Sequence, residues 1–172
     1  GHCCRHYTDT ETDDVAFLDG VVGSVLDEYR DNRKTDVYIT GFSNGALMSY
    51  RYACEGVFPI SGVSAVSGAG AEWEKCVIEK GIPSIDVREY GASTPGSKEC
   101  SVVTQKEQLY KADDRYTSYS SHVCAKGDVH DYYILENGLH GWQSVRMIKN
   151  GVVYSYSAAE MFLNFIKSQA QQ

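Results

Sequence analysis

No apolar run in this chain approaches the ~20 consecutive residues that a membrane-spanning helix needs. A basic stripe is lacking as well: 23 acidic against 16 basic residues leave a formal charge of −7, with the acidic groups spread along the chain. Such a surface neither neutralises phosphates nor anchors to anionic lipid, so nucleic acid and membranes drop out as partners. Internal repeats and low-complexity tracts are absent too. The chain opens at Gly1 with neither an initiator Met nor a signal-type apolar segment, which reads as a processed or trimmed start.

Also missing is any Cys-x-x-Cys pair, although Cys3, Cys4, Cys54, Cys76, Cys100 and Cys124 are many for a cytosolic domain. Scattered cysteines in that number point to disulfides and to a secreted, extracellular protein. The cluster "GHCCRH" at the front brings His2, Cys3, Cys4 and His6 together, but it lacks the usual ligand separation and has no second half-site. Neither a metal nor a cofactor is expected.

What is present suits one globular domain over residues 1–172, with 42% hydrophobic residues to build a core. Thr12, Asp13 and Asp14 open a helix whose apolar face is Val15, Leu18, Val22, Val25, Leu26 and Tyr29. In "VYITGFSNGALMSYRYAC", Val37, Tyr38 and Ile39 read as a buried strand, and Ala46, Leu47, Met48, Tyr50 and Ala53 carry helical spacing. Further buried strands are expected around Val63 to Val66, Ile82 to Val87 and from Val129 in "VHDYYIL". Between them, residues 88–127 are polar, Ser- and Tyr-rich and poorly periodic, an irregular insertion with one helix around Thr104 to Ala112. At least one bridge should tie this insertion to the rest or close it upon itself, with Cys100 and Cys124 as a candidate pair; the fifteen possible connectivities of six cysteines stay open. A last helix, capped by Ser157 and Glu160, turns Met161, Phe162, Phe165 and Ile166 inward. Strand, helix, strand in this order predicts an α/β fold with a mostly parallel sheet and flanking helices.

Only "GFSNG" separates the strand at Val37–Ile39 from its helix. A reversal that tight strains the residue at its tip, Ser43, and glycines at Gly41 and Gly45 remove side chains that would collide there. A serine so held projects its hydroxyl above the sheet, where the helix N-terminus faces any developing negative charge. The same serine also suits an ordinary N-cap or turn, so the partner of its hydroxyl decides between the two readings. His140 lies past the fourth strand in the Gly-flanked loop "NGLHGW", the place of the general base when the order is nucleophile, acid, histidine. His2, His6 and His122 have no comparable context, and His130, on an alternating strand, reads as a surface or packing residue.

Taken together, "CC…TDDVAFLDGVVGSVLDEY…VYITGFSNGALMSYRYACE…ISGVSAVSG" and "VHDYYILENGLHGW" resemble the esterase family of secreted poly(3-hydroxybutyrate) depolymerases and feruloyl esterases. The resemblance runs over most of residues 3–87 and 124–166. It implies an α/β-hydrolase fold, N-terminally short, and hydrolysis of a small-molecule, polysaccharide-linked or polyester ester. Ser43 would be the nucleophile, His140 the base and the amide of Asn44 one oxyanion donor, with Phe42 and Trp142 as pocket residues. The family's acid follows the strand equivalent to "IPSIDV", within a His-Gly-x-x-Asp run. Here the chain reads "IDVREYGASTPG" and the expected place falls near Ala92. Glu89, at the strand's end, is the candidate acid, whereas Asp86 lies inside the strand. The family's strands upstream, one of whose loops gives the second oxyanion amide, have no counterpart; either a further N-terminal segment or a second chain supplies it, or the protein is a minimal relative with an incomplete oxyanion hole. Two functions stay open: a serine carboxylesterase, and a catalytically impaired hydrolase-fold protein that binds a ligand or partner chain.

Overall fold

A computed structural model of the chain describes residues 13–29, 35–68, 71–89, 100–106, 117–135, 140–142, 144–149 and 152–169. The chain enters as helix α1 (Asp14–Glu28), capped by Asp13, whose carboxylate accepts from the amide of Ala16 at 3.1 Å. Strand β1 (Tyr38–Phe42), helix α2 (Asn44–Glu55), strand β2 (Gly62–Val66), helix α3 (Ala71–Lys80) and strand β3 (Ser84–Glu89) follow. Next come β4 (Ser101–Lys106), β5 (Thr117–Val123) and β6 (Val129–Leu135), then the hairpin strands β7 (Ser144–Lys149) and β8 (Val152–Ser157) and helix α4 (Ala158–Gln169). No helix of the described residues is long and apolar enough to cross a membrane.

The main sheet has six strands in the order β1-β2-β3-β6-β5-β4, and β7 with β8 forms a separate pair. Pairings β1–β2, β2–β3 and β3–β6 are parallel, while β6–β5 and β5–β4 are antiparallel. The fold is therefore α/β with a mixed sheet. The period-two alternation of its strands sorts side chains to two covered faces. One face carries Ile39, Val63 and Ala65 beneath Ala46, Tyr50 and Ala53 of α2, Val15 of α1 and Val77 of α3. The other carries Phe42, Val66, Ile85 and Val87 beneath Ala158, Met161 and Phe165 of α4.

Three expectations change. In the region read as an irregular insertion, β4 and β5 pair with each other in an antiparallel ladder that extends the sheet beyond β6. Thr104 to Lys106, read as the start of a helix, belongs to β4, and the rest of that expected helix lies outside the described residues. On α1, Val15 is buried and Leu18 and Val22 pack on the core, but Val25 and Tyr29 are exposed. Asp19 of α1 accepts from the Tyr52 hydroxyl of α2 at 2.9 Å and from the amide of Val57, just past that helix, at 3.0 Å.

Two disulfides are formed among the described residues. Cys54 of α2 pairs with Cys76 of α3 on one face of the sheet, and Cys100 pairs with Cys124, joining the start of β4 to the end of β5 within the polar region, the candidate pair named from the sequence. Cys3, Cys4 and the "GHCCRH" cluster lie outside the described residues.

Candidate functional site

Ser43 occupies the one-residue turn between β1 and α2, with a left-handed backbone at φ 53° and ψ −116°. Its amide bonds the carbonyl of Val66 at 2.9 Å, which continues the β1–β2 ladder by one residue beyond the strand. The chain then has to double back at once, and two glycines let it. A Cβ on Gly41 would lie 2.1 Å from the carbonyl oxygen of Gly45, and one on Gly68 would lie 2.6 Å from the carbonyl oxygen of Ser43. Gly45 has open space where its Cβ would be, so of the two glycines expected to relieve the turn only Gly41 is sterically required.

Although Ser43 stands at the N-cap of α2, its side chain makes no capping hydrogen bond. Its Oγ lies 3.0 Å from Nε2 of His140, 97 residues later in the chain. The hydroxyl is thus directed away from the helix that a capping serine would serve, and toward an imidazole. For Nε2 to accept the serine proton, the imidazole proton has to reside on Nδ1. Phe42 backs the histidine, its ring centroid 5.0 Å from that of His140 at an interplanar angle of 39°. Asn44 opens α2 on the exposed side, so its backbone amide belongs to the helix's positive end. Trp142, two residues beyond His140, is 43% exposed.

The carboxylates are distributed differently. Asp86 is fully buried, and accepts from the Tyr50 hydroxyl and from Nε and Nη2 of Arg88, at 3.3 and 2.9 Å for the latter two. Arg88 also pairs with Glu74 of α3. Burial works against the guanidinium's charge, but Asp86, Tyr50 and Glu74 together raise its pKa, so it stays charged. Burial first, then the Asp86 and Glu74 charges, raise the Tyr50 phenol well above its ordinary value and keep it a donor. Asp86 is committed to this core network. Glu89 ends β3, its backbone opposite Leu135 of β6, while its side chain and the chain around Ala92 lie outside the described residues.

His130 is a packing residue, 1% exposed, with Nδ1 2.8 Å from the Ser84 hydroxyl and Nε2 on Asp128. With Cys124 these two form a potential metal-ligating group, but the Cys124 sulfur is committed to Cys100. A concavity of about 380 Å³ lined by Ala53, Val57, Ile60 and Lys80 lies at the opposite end of α2 from Ser43. There the Lys80 ammonium bonds the carbonyls of Ala53 and Cys54 at 3.3 and 2.6 Å, capping the helix rather than awaiting a ligand.

One contributor escaped the sequence reading. Ser67 follows β2, is 6% exposed and donates from Oγ to the carbonyl of Gly141 at 3.1 Å, beside His140. The "VSG" ending of that strand was its only local signal. Compared with protein-family models and with curated proteins, the chain matches none.

Proposed function

We propose that this chain is a serine carboxylic-ester hydrolase of α/β-hydrolase type, acting outside the cell on an ester of the kind that feruloyl esterases or polyester depolymerases cleave. The observation that carries the reading is the 3.0 Å approach of Ser43 Oγ to His140 Nε2, made by a strained N-cap serine whose hydroxyl does not cap. Two disulfides support an oxidising compartment. In this reading Ser43 Oγ attacks the acyl carbon as its proton passes to His140 Nε2, and the carbonyl electrons move onto oxygen. The Asn44 amide at the positive end of α2 stabilises that oxyanion. Its collapse breaks the bond to the alcohol, which leaves with the proton from His140. Water then attacks the acyl-serine by the same exchange, releases the acid and restores both groups.

The test is turnover of p-nitrophenyl acetate and butyrate, together with labelling by a fluorophosphonate. Both should depend on Ser43 and His140, with Ser43→Ala abolishing the labelling outright. Turnover that persists in Ser43→Ala, or a wild-type chain that neither labels nor turns over, would defeat the reading. The latter result would favour a hydrolase-fold binding protein instead.

A further inference from the structure

Among the described residues, two that are not glycine adopt a left-handed backbone: Ser43 at φ 53° and Ser67 at φ 49°. The first is the turn of the candidate site. The second stands one residue past β2, the strand that Ser43 pairs against. A serine in the left-handed region is strained relative to a relaxed conformation, and glycine would occupy the position with far less penalty. What serine adds over glycine there is a hydroxyl, and that hydroxyl donates to the carbonyl of Gly141, 74 residues away and directly after His140.

The backbone around Ser67 is held from below. Its amide bonds the carbonyl of Val87 in β3 at 2.8 Å, and the preceding carbonyl, that of Val66, accepts from Ser43 at 2.9 Å. The following residue, Gly68, packs against Ser43 so closely that a Cβ there would stand 2.5 Å from Cβ of Ala46 and 2.6 Å from the Ser43 carbonyl. Three consecutive residues at the end of β2 therefore touch both halves of the site. Val66 and Gly68 seat the serine turn, and Ser67 grips the histidine loop.

We propose that Ser67 is a positioning residue for His140, its hydroxyl holding the Gly141 carbonyl so that the imidazole stays within reach of Ser43; the kinetic consequence rests on the ester-hydrolase reading above. Ser67 does not touch the reacting atoms. It acts by fixing the backbone next to His140, an exposed residue. A displacement of about 1 Å in such a group can lower turnover by ~10²-fold.

The informative variant is Ser67→Gly, which removes the hydroxyl and the backbone strain together. Its thermal stability should equal or exceed that of the wild type. Its kcat for p-nitrophenyl butyrate should fall about 10- to 100-fold, with KM within about twofold, and fluorophosphonate labelling should slow in parallel. Ser67→Asn, which keeps a donor on a residue type that tolerates the left-handed region, should recover part of the loss. In NMR spectra of the same proteins, the His140 ring signals should be single and sharp in the wild type and shifted or broadened in Ser67→Gly. Unchanged kcat and unchanged His140 signals in Ser67→Gly would overturn the proposal. So would a loss of activity matched by a loss of stability, since that marks a merely structural role. If the wild type proves to have no Ser43-dependent turnover, the hydrolase reading fails by itself, and the His140 signals still decide whether Ser67 holds the loop.

Discussion

The hydroxyl of Tyr50, on the buried face of the helix that follows Ser43, donates to the carboxylate of Asp86 in the middle of β3. Asp86 in turn holds Arg88, and Arg88 holds Glu74 on α3, so one ionic chain pins α2 and α3 to the centre of the sheet. Tyr50→Phe removes one donor from a buried carboxylate and should cost about 1–3 kcal/mol. Arg88→Met leaves two buried carboxylates without their cation and should cost about 3–5 kcal/mol. Denaturant unfolding of the two variants checks the order, and a larger loss in Tyr50→Phe than in Arg88→Met would contradict it.

The two glycines flanking Ser43 should respond oppositely to alanine. Gly41→Ala drives a methyl to 2.1 Å from a backbone oxygen, which no side-chain rearrangement can relieve, so the turn must open. Gly45→Ala enters open space in the first turn of α2, and should be neutral or stabilise by up to about 1 kcal/mol. Melting temperatures, with fluorophosphonate labelling alongside, measure the contrast.

The four cysteines among the described residues are all paired, so the denatured, unreduced protein should present no more than two reactive thiols. The double variant Cys100→Ser/Cys124→Ser opens a loop of 24-residue separation and should lose about 3 kcal/mol. Thiol titration and equilibrium unfolding test the two statements separately.

Acid should weaken the outer part of the sheet. Partial burial, then the neighbouring His130, lower the pKa of His122, with Asp131 opposing. Its folded-state value lies below the ordinary ~6.5, so below that pH the unfolded chain binds more protons and stability falls until the folded value is passed. His122→Gln should flatten the slope of stability against pH just below ~6.5, measured by urea midpoints at fixed ionic strength. An identical slope in both proteins would rule His122 out as a contributor.

The strands β1, β2, β3 and β6 were legible because short runs rich in Val and Ile alternate with turn residues, and the serine turn because its glycines bracket it. Helix α3 went unread although Trp73 and Val77 carry its spacing, and so did the hairpin strands β7 and β8, where Asn150-Gly151 stands between two alternating runs. β4 and β5 were hidden by composition, since Ser118, Ser120 and Ser121 give a polar strand no apolar rhythm. The use of Asp86 could not be read at all. Its partners are 36 residues upstream and two residues on, and only the packing of α2 over β3 brings Tyr50 to it. Ser67 was invisible for the same reason: a strand-end serine is ordinary until its partner 74 residues away is known.

The 97-residue span between Ser43 and His140 has a kinetic meaning. To close it, the parallel pairings β1–β2, β2–β3 and β3–β6 must all be made, each across an intervening excursion of chain. Contacts of such long sequence separation are entropically late in folding. The contacts within a helix such as α2 carry no such closure cost. During refolding, far-UV dichroism should therefore recover ahead of Ser43 labelling by fluorophosphonate, and the lag between them times the closing of the sheet.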